Sequence, residues 1–257
     1  MSAQERCGKV WIVGAGPGDP ELLTVRAARL VAEADDLVVD ALVPPEVYRG
    51  ARGRVIYVGK RAGRPRPSQR RIEEILVRLA RAGRRIVRLK GGDPSLFARL
   101  GEEVRALAEA GIAYEIVPGV SSLLAVPLAA GIPLTDRGVA DRVVILTGRR
   151  SAEAGIEEPL SLPAYDEATT YVFFMALGRL DALVTSAIES GFPAELPSVA
   201  VARASLADER WVAAALGALP AAVAAAALEA PATVVVGRVA ERLLLDVTRR
   251  AVRRPAS

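Results

Sequence analysis

Arg88-Leu89-Lys90-Gly91-Gly92-Asp93-Pro94 decides the fold, because an apolar run, residues 86–89, leads there into a Gly-rich turn that ends in Asp-Pro. A second turn of the same design, Gly14-Ala15-Gly16-Pro17-Gly18-Asp19-Pro20, follows the apolar run 10–13. A helical pattern follows each turn. Flexible backbone and a carboxylate thus stand at the carboxyl ends of two strands, where open α/β sheets bind small ligands. The two turns predict a small-molecule site for a ligand with polar, adenosine-like handles.

Neither turn matches a phosphate-binding motif. The dinucleotide fingerprint needs Gly-x-Gly-x-x-Gly, and Asp19 stands at its last position; no lysine is followed by Ser or Thr, as a P-loop requires. On its own, the first turn could also simply start a helix. In the second turn Gly91 and Gly92 allow close backbone approach, and Asp93 can accept hydrogen bonds from hydroxyls or an amine. This chemistry suits a nucleoside with a cationic or amino-acid tail.

The composition excludes several kinds of catalyst. The 257 residues include no histidine and one cysteine, Cys7, which excludes Ser-His-Asp chemistry, His-ligated zinc and an internal disulfide. We therefore expect no metal site. Aromatic residues make up 4% of the chain, too few for a base-stacking platform. Catalysis must rely on carboxylates, Lys, Arg, Tyr, backbone dipoles or a cofactor.

The charge is +4, and almost all of the basic residues are arginines (34 Lys+Arg, of which three are Lys). Codon bias accounts for most of this excess, although a local cluster of Arg forks would bind carboxylates or phosphates at two points.

Residues 1–9 are polar and lack the apolar core of a secretory signal. The Ala-rich segment 212–236 contains Pro220, Glu229 and Pro231, which favours a short helix and a buried strand over a membrane span. We expect a soluble, cytoplasmic protein with no membrane partner.

Helical patterns that end at a glycine and lead into a strand recur along the chain. They are residues 72–82 before Gly83 and strand 86–89, residues 104–110 before Gly111 and strand 114–117, and residues 180–190 before Gly191 and strand 199–201. This alternation predicts sheets covered by helices, with largely parallel pairing in the first half.

Asp19 and Pro20 predict the start of a helix that runs on through Leu22, Leu23, Ala27, Leu30 and Val31. Val117-Pro118-Gly119 predicts a hinge between domains 1–118 and 119–257.

Six motifs follow one another along the chain. They are Gly14-Ala15-Gly16-Pro17-Gly18-Asp19-Pro20-Glu21-Leu22-Leu23-Thr24, Asp40-Ala41-Leu42-Val43, Val58-Gly59-Lys60-Arg61, Val87-Arg88-Leu89-Lys90-Gly91-Gly92-Asp93-Pro94, Pro118-Gly119-Val120-Ser121-Ser122 and Ala130-Gly131-Ile132-Pro133-Leu134-Thr135. In this order the motifs resemble those of the S-adenosylmethionine-dependent uroporphyrinogen-III C-methyltransferases of the tetrapyrrole methylase family. The resemblance runs from Val10 to Val239, and it implies two α/β domains with a cofactor cleft between them, usually in a homodimer.

The resemblance also implies roles for individual residues. For S-adenosylmethionine and its product S-adenosylhomocysteine, the implied contacts are Pro17, Gly91, Gly92, Asp93, Leu96, Ser121, Ser122, Met175 and Ala204, with Pro231 and Ala232 as weaker candidates. Asp40 is the implied proton acceptor and Lys60 the proton donor. Arg99, Glu102 and Arg137 are implied at the substrate, a polyanionic tetrapyrrole. Without the resemblance, Asp40 reads as a strand-end cap, Lys60 as a solvated loop charge and Glu102 as an exposed helix residue.

The chain departs from the family pattern at two places. Leu100 stands where the family commonly has Gly, and Asp136 where it commonly has His beside the arginine. Both bear on substrate preference. The activity implied is methylation of uroporphyrinogen III at two positions to give precorrin-2, for sirohaem or cobalamin. One alternative is a sister enzyme that acts on a later cobalamin intermediate. The other is a basic nucleic-acid-binding protein, and the scarcity of aromatic residues argues against it.

Overall fold

A computed structural model describes residues 8–59, 67–148 and 161–241. The chain divides into two compact units, Met1–Ser122 and Leu123–Ser257. Each unit contains one five-stranded sheet with helices. The predicted fold class of two α/β domains is thereby confirmed. The division after Ser122 lies close to the hinge predicted at Pro118 and Gly119.

The first sheet is parallel throughout, with the strand order β3-β2-β4-β1-β5. Its strands are mostly buried apolar runs, as in sheets that are covered on both faces. The carboxyl ends of all five strands therefore meet at one edge. The elements are β1 (Lys9–Gly14), α1 (Val25–Glu33), β2 (Asp36–Val39), β3 (Arg54–Tyr57), α2 (Gln69–Arg81), β4 (Arg85–Lys90), α3 (Leu100–Glu109) and β5 (Ala113–Val117).

The helix predicted over residues 72–82 is confirmed as α2. Ser68 caps it, because the Ser68 side chain accepts a hydrogen bond from the Arg71 backbone N–H at 3.2 Å. Its apolar positions are buried against the sheet together with residues of α3. Gly83 follows with a φ of +75°, the left-handed conformation that commonly ends a helix.

The prediction of one helix running from Pro20 is wrong. Pro20–Leu22 forms a single 3₁₀ turn, in which the Asp19 side chain accepts from the Glu21 N–H at 2.9 Å. The chain is extended at Leu23, and Thr24 then caps α1 by accepting from the Ala27 N–H at 3.1 Å. The physical reason is the second capping side chain, Thr24, which starts a new helix one turn later.

The second sheet is mixed, with the order β6-β7-β10-β8-β9, and only the β6–β7 pair is parallel. The Ala-rich segment forms β9, α6 and β10, of which the helix and the last strand were predicted and β9 was not. No helix in the described ranges is long and apolar enough to cross a membrane. The elements are α4 (Ser122–Ala129), β6 (Arg142–Thr147), β7 (Thr169–Phe174), α5 (Leu180–Glu189), β8 (Pro197–Ala202), β9 (Arg210–Ala215), α6 (Leu219–Ala225) and β10 (Ala232–Val236).

Three backbone segments of the first unit pack directly on one another at the carboxyl edge of the sheet. A Cβ atom at Gly14 would lie 2.6 Å from the Gly119 nitrogen and 2.7 Å from the Gly92 carbonyl oxygen. A Cβ atom at Gly119 would lie 2.5 Å from that same oxygen. The ends of β1, β4 and β5 can approach this closely only because these positions carry no side chain.

We predict that Gly14→Ala destabilises the protein by about 1–3 kcal/mol, because its methyl group meets backbone that cannot move aside. Gly101 is the matched control, since it lies in α3 and has nothing within 4 Å of its would-be Cβ. Gly101→Ala should instead stabilise the protein by about 0.5–1 kcal/mol. Urea unfolding of both variants measures the difference, and equal stabilities would contradict the packing argument.

Candidate functional site

The two Gly-rich turns interlock at the carboxyl edge of the first sheet. The Gly92 N–H donates to the Gly16 carbonyl oxygen at 2.7 Å, and the Gly16 N–H donates back to the Gly92 carbonyl oxygen at 3.2 Å. Both glycines have a positive φ, 71° at Gly16 and 67° at Gly92, which other residues rarely adopt. The turns thus form one backbone platform that includes Pro17 and residues 91–93.

Asp93 ties this platform together. One carboxylate oxygen accepts from the Ser95 N–H at 2.8 Å and from the Ser95 hydroxyl, and the other accepts from the Gly119 N–H at 3.0 Å. Burial acts to raise the pKa of the Asp93 carboxyl, but these hydrogen bonds outweigh it and hold the pKa below its ordinary value. Asp93 therefore fixes the positions of the second turn and of the chain after β5.

The other residues predicted to bind the cofactor from the first unit lie on the same connections. Leu96 follows Asp93 and donates its N–H to the Asp93 carbonyl oxygen at 3.4 Å, and its side chain is half-buried. Ser121 and Ser122 follow Gly119 and are also half-buried. A Cβ atom at Gly92 would meet nothing closer than the Ser122 nitrogen at 3.9 Å, so the backbone of the turn stays open beside it.

Asp40 lies at the same edge, directly after β2. One of its carboxylate oxygens accepts from the Ala41 N–H at 2.7 Å, and the other lies 3.5 Å from Nη2 of Arg88. The Arg88 side chain is only 2% exposed, whereas Asp40 is 18% exposed. The Asp40 carboxylate is therefore open to solvent on one side and faces a buried cation on the other.

Arg88 belongs to a buried group of charges on β4 and α3. Its Nε donates to Glu103 at 2.9 Å, and the Lys90 ammonium donates to the other Glu103 oxygen at 2.8 Å. Glu103 is fully buried and Lys90 is 2% exposed. Burial lowers the pKa of the Lys90 ammonium, although the Glu103 carboxylate opposes the change. We call Asp40, Arg88, Lys90 and Glu103 the charged cluster.

Arg99 and Glu102 form a separate pair at the start of α3. The Arg99 guanidinium makes two hydrogen bonds to the Glu102 carboxylate, each 2.8 Å long. Both side chains are exposed to solvent. Arg99 has a φ of +56°, a strained conformation for a residue with a side chain. Such strain occurs most often where function requires it.

In the second unit, four of the predicted cofactor residues lie at one edge of the sheet. β10 runs antiparallel to β7 and β8, and its register pairs Thr233 with Phe174 and Ala232 with Ala202. The start of β10 therefore lies beside the ends of β7 and β8. The Arg203 N–H also donates to the Pro231 carbonyl oxygen at 3.1 Å. The residues at this edge are Met175, Ala204, Pro231 and Ala232.

The backbone has a positive φ at or beside two of these positions. Met175 has a φ of +53° and is 48% exposed directly after β7. Ala204 is buried between Arg203 and Ser205, which both have a positive φ.

Arg137, the other predicted residue of this unit, lies elsewhere. It is exposed at the tip of a turn, and hydrogen bonds between Asp136 and Ala140 close this turn.

Two further predictions concern Lys60 and the absence of a metal site. Lys60, the predicted proton donor, lies outside the described residues. No group of three or more His, Cys, Asp or Glu side chains within residues 8–59, 67–148 and 161–241 is arranged to hold a metal ion. The sequence reasoning assigned no role to Arg88, Lys90 or Glu103. A usable signal was present, because charges at alternate positions of an apolar strand share one face of the sheet.

We predict that Asp93→Asn destabilises the protein by about 1 kcal/mol at neutral pH, because a neutral amide accepts hydrogen bonds less strongly than a carboxylate. The folded pKa lies below the ordinary value of 3.8, so this contribution is complete above that value and is lost as the pH falls below it. Urea unfolding between about pH 7 and pH 3 should show the two stabilities converging. The exposed Glu109→Gln serves as the control, and a gap independent of pH would contradict the role of the Asp93 charge.

Comparisons with known proteins place the chain in a family. The family model described as Tetrapyrrole (Corrin/Porphyrin) Methylases matches residues 9–220. A siroheme synthase of Halorhodospira halophila is 44% identical over 90% of this chain and 48% of its own length. The chain thus spans about half the length of that relative. A uroporphyrinogen-III C-methyltransferase of Pseudomonas aeruginosa is 40% identical over 97% of this chain and 98% of its own.

Solved structures agree with the family model. A uroporphyrin-III C-methyltransferase of Thermus thermophilus, complexed with S-adenosylhomocysteine, superposes with a TM-score of 0.76 at 40% identity, over 91% of this chain and all of its own. A cobalt precorrin-4 methyltransferase superposes with a TM-score of 0.78 at 24% identity, over 93% of this chain and 98% of its own, and this likeness shows the fold alone. The interlocked turns and the match over most of the chain lead to one conclusion: the chain belongs to the tetrapyrrole methylase family.

Proposed function

We propose that the chain transfers methyl groups from S-adenosylmethionine to two carbon atoms of uroporphyrinogen III, which gives precorrin-2. The observation that carries the proposal is the interlocked pair of turns, with Asp40 at the same edge of the sheet. The relative from Pseudomonas aeruginosa, which matches over nearly its whole length, supports this substrate. A homodimer, a cytoplasmic location and no nucleic-acid partner belong to the same proposal.

The residues present fit S-adenosylmethionine. The Gly92 backbone is open on the side where a Cβ would stand, so that a ligand can approach it closely. The turns supply backbone groups and carboxylates and carry no Lys or Arg fork for a phosphate, which suits an adenosine with an amino-acid tail. When bound, this cofactor supplies a methyl group activated by a sulfonium. The residues that would hold it are Pro17, Gly91, Gly92, Asp93, Leu96, Ser121, Ser122, Met175, Ala204, Pro231 and Ala232.

In this proposal the protein contributes orientation and the handling of one proton. A pyrrole carbon of the substrate is already electron-rich, so holding it in line for transfer is the main catalytic effect. The methylated carbon carries no hydrogen, so the proton that balances the added methyl cation leaves from another atom of the tetrapyrrole, and the half-buried Asp40 carboxylate takes it. Lys60 is the proton donor of the proposal, and a proton that it gives to the ring is lost again from another ring atom, so that each methyl transfer releases one proton in total. Arg99 and Arg137 bind the carboxylates of the tetrapyrrole, and Glu102 orients Arg99 through its two hydrogen bonds.

A sister enzyme that methylates a later cobalamin intermediate is the second candidate. The likeness to the precorrin-4 enzyme supports only a shared fold. The motifs Asp40-Ala41-Leu42-Val43 and Val58-Gly59-Lys60-Arg61 favour uroporphyrinogen III. Mass spectrometry of the product made from uroporphyrinogen III and S-adenosylmethionine distinguishes the two, because the sister enzyme leaves uroporphyrinogen III unmethylated.

We predict that Asp40→Asn lowers the single-turnover rate by roughly 10²–10⁴, because an amide cannot take up the proton. Its affinity for S-adenosylmethionine, measured by calorimetry, should hardly change. A purely structural role for Asp40 predicts the reverse pattern, with a lower melting temperature and normal turnover per folded molecule. A wild-type rate in folded Asp40→Asn would remove Asp40 from the chemistry.

We predict that Arg99→Lys raises the KM for the tetrapyrrole by about 10–100-fold, because a lysine cannot replace a two-point guanidinium contact. The matched control is Arg105→Lys, an exposed position on the same helix, which should leave KM unchanged. Steady-state kinetics with saturating S-adenosylmethionine measure both. Equal KM values in the two variants would show that Arg99 does not bind the substrate.

A further inference from the structure

Burial of the charged cluster costs free energy of folding. Arg88, Lys90 and Glu103 are almost completely removed from solvent, with side chains 2%, 2% and 0% exposed. Taking an ion out of water costs several kcal/mol, and well-packed apolar side chains often serve a fold equally well or better. The neighbours of these residues on β4, Val87 and Leu89, are apolar and buried. Stability alone therefore does not explain charges at this place.

Glu103 is the centre of the cluster. Each of its two oxygens accepts from a different cation, Arg88 on one side and Lys90 on the other. With Asp40, the cluster contains two carboxylates and two cations, so its formal charges balance. Removal of any one member would leave an uncompensated charge in a buried place.

The Arg88 guanidinium is held on several sides. Nε is bound to Glu103, and Nη1 donates to the carbonyl oxygens of Val38 at 3.3 Å and Leu89 at 3.4 Å. Nη2 faces the Asp40 carboxylate at 3.5 Å, an ion-pair distance. A group fixed by two strands and a helix can orient a carboxylate that is itself partly exposed.

Asp40 is thus the member of the cluster that reaches the surface. One oxygen is held by the Ala41 N–H, and the other faces Arg88. The three other members lie beneath it and do not reach solvent. This arrangement is the one expected for a reacting carboxylate with a rigid support behind it.

We infer that Arg88, fixed by Glu103, is a positioning residue that orients the Asp40 carboxylate for its proton transfer. The inference rests on the proposed role of Asp40 as the proton acceptor. Arg88 and Glu103 act through Asp40 and touch neither the substrate nor the cofactor. Lys90 donates to the second oxygen of Glu103 and so keeps that carboxylate shared between two partners.

The test is a double-mutant cycle with single-turnover methyl transfer to uroporphyrinogen III. Arg88→Lys keeps the positive charge, but a single ammonium cannot span Glu103 and Asp40. In the otherwise unchanged enzyme it should lower the rate by about 10-fold or more while the KM for S-adenosylmethionine stays constant. In the Asp40→Asn background it should have less than about a 2-fold further effect, because residues that act through one another are not additive.

Arg84→Lys is the matched control. Arg84 pairs with the fully buried Asp36 at 2.7 Å, at the opposite, amino edge of the same sheet. This variant tests the loss of an arginine fork far from Asp40, and its rate per folded molecule should equal that of the unchanged enzyme. Glu103→Gln, where it folds, should behave like Arg88→Lys in both backgrounds, and Arg88→Lys alone decides the matter where it does not.

Each outcome decides one of the two proposals. Equal losses from Arg88→Lys with and without Asp40 would overturn the inference, because Arg88 would then act independently. A normal rate for folded Arg88→Lys would overturn it as well. A normal rate for Asp40→Asn would instead overturn the proposed role of Asp40, and the inference would fall with it. A loss confined to the background that retains Asp40 supports both.

Discussion

The close packing of backbone at Gly14, Gly92 and Gly119 is the constraint on which the first unit depends. It brings the connections after β1, β4 and β5 within van der Waals contact of one another, which a side chain at Gly14 or Gly119 would prevent. The mutual hydrogen bonds of Gly16 and Gly92 and the carboxylate of Asp93 then hold these connections in place. The result is a rigid backbone surface at the carboxyl edge of a parallel sheet, the edge where such sheets bind ligands.

The packing of these connections indicates a role for Asp93 other than the one that the sequence suggests. As a lone acidic residue after two glycines, it reads as a ligand-binding acceptor. Its oxygens accept from Ser95 and Gly119, so its first effect is to shape the surface that a ligand meets. A carboxylate has lone pairs for further hydrogen bonds, and the two roles are compatible.

The charged cluster lies where apolar side chains would stabilise the fold equally well or better. An apolar β4 would pack well between its neighbours, yet Arg88 and Lys90 stand on the same face of the strand as the apolar Ile86. Their burial is tolerable because Glu103 accepts a hydrogen bond from each of them and because two backbone carbonyl groups accept from Nη1 of Arg88. The same contacts that make the charges tolerable also make them rigid, and rigidity is what a proton acceptor at the surface needs from its support.

Sequence pattern alone determined the alternation of helices and strands, the glycine that ends α2 and the parallel first sheet, since these depend on periodicity and local capping. It missed β9, because alanine carries little strand signal, and it merged the 3₁₀ turn with α1, because two capping residues stand close together. Residues 91–93 and Asp40 could be placed at one edge from their positions after strands. Only the tertiary structure decided that Glu103, next to the exposed Glu102, faces inward to Arg88 and Lys90. That choice depends on helix orientation over the sheet, a long-range property that neighbouring residues in the sequence do not encode.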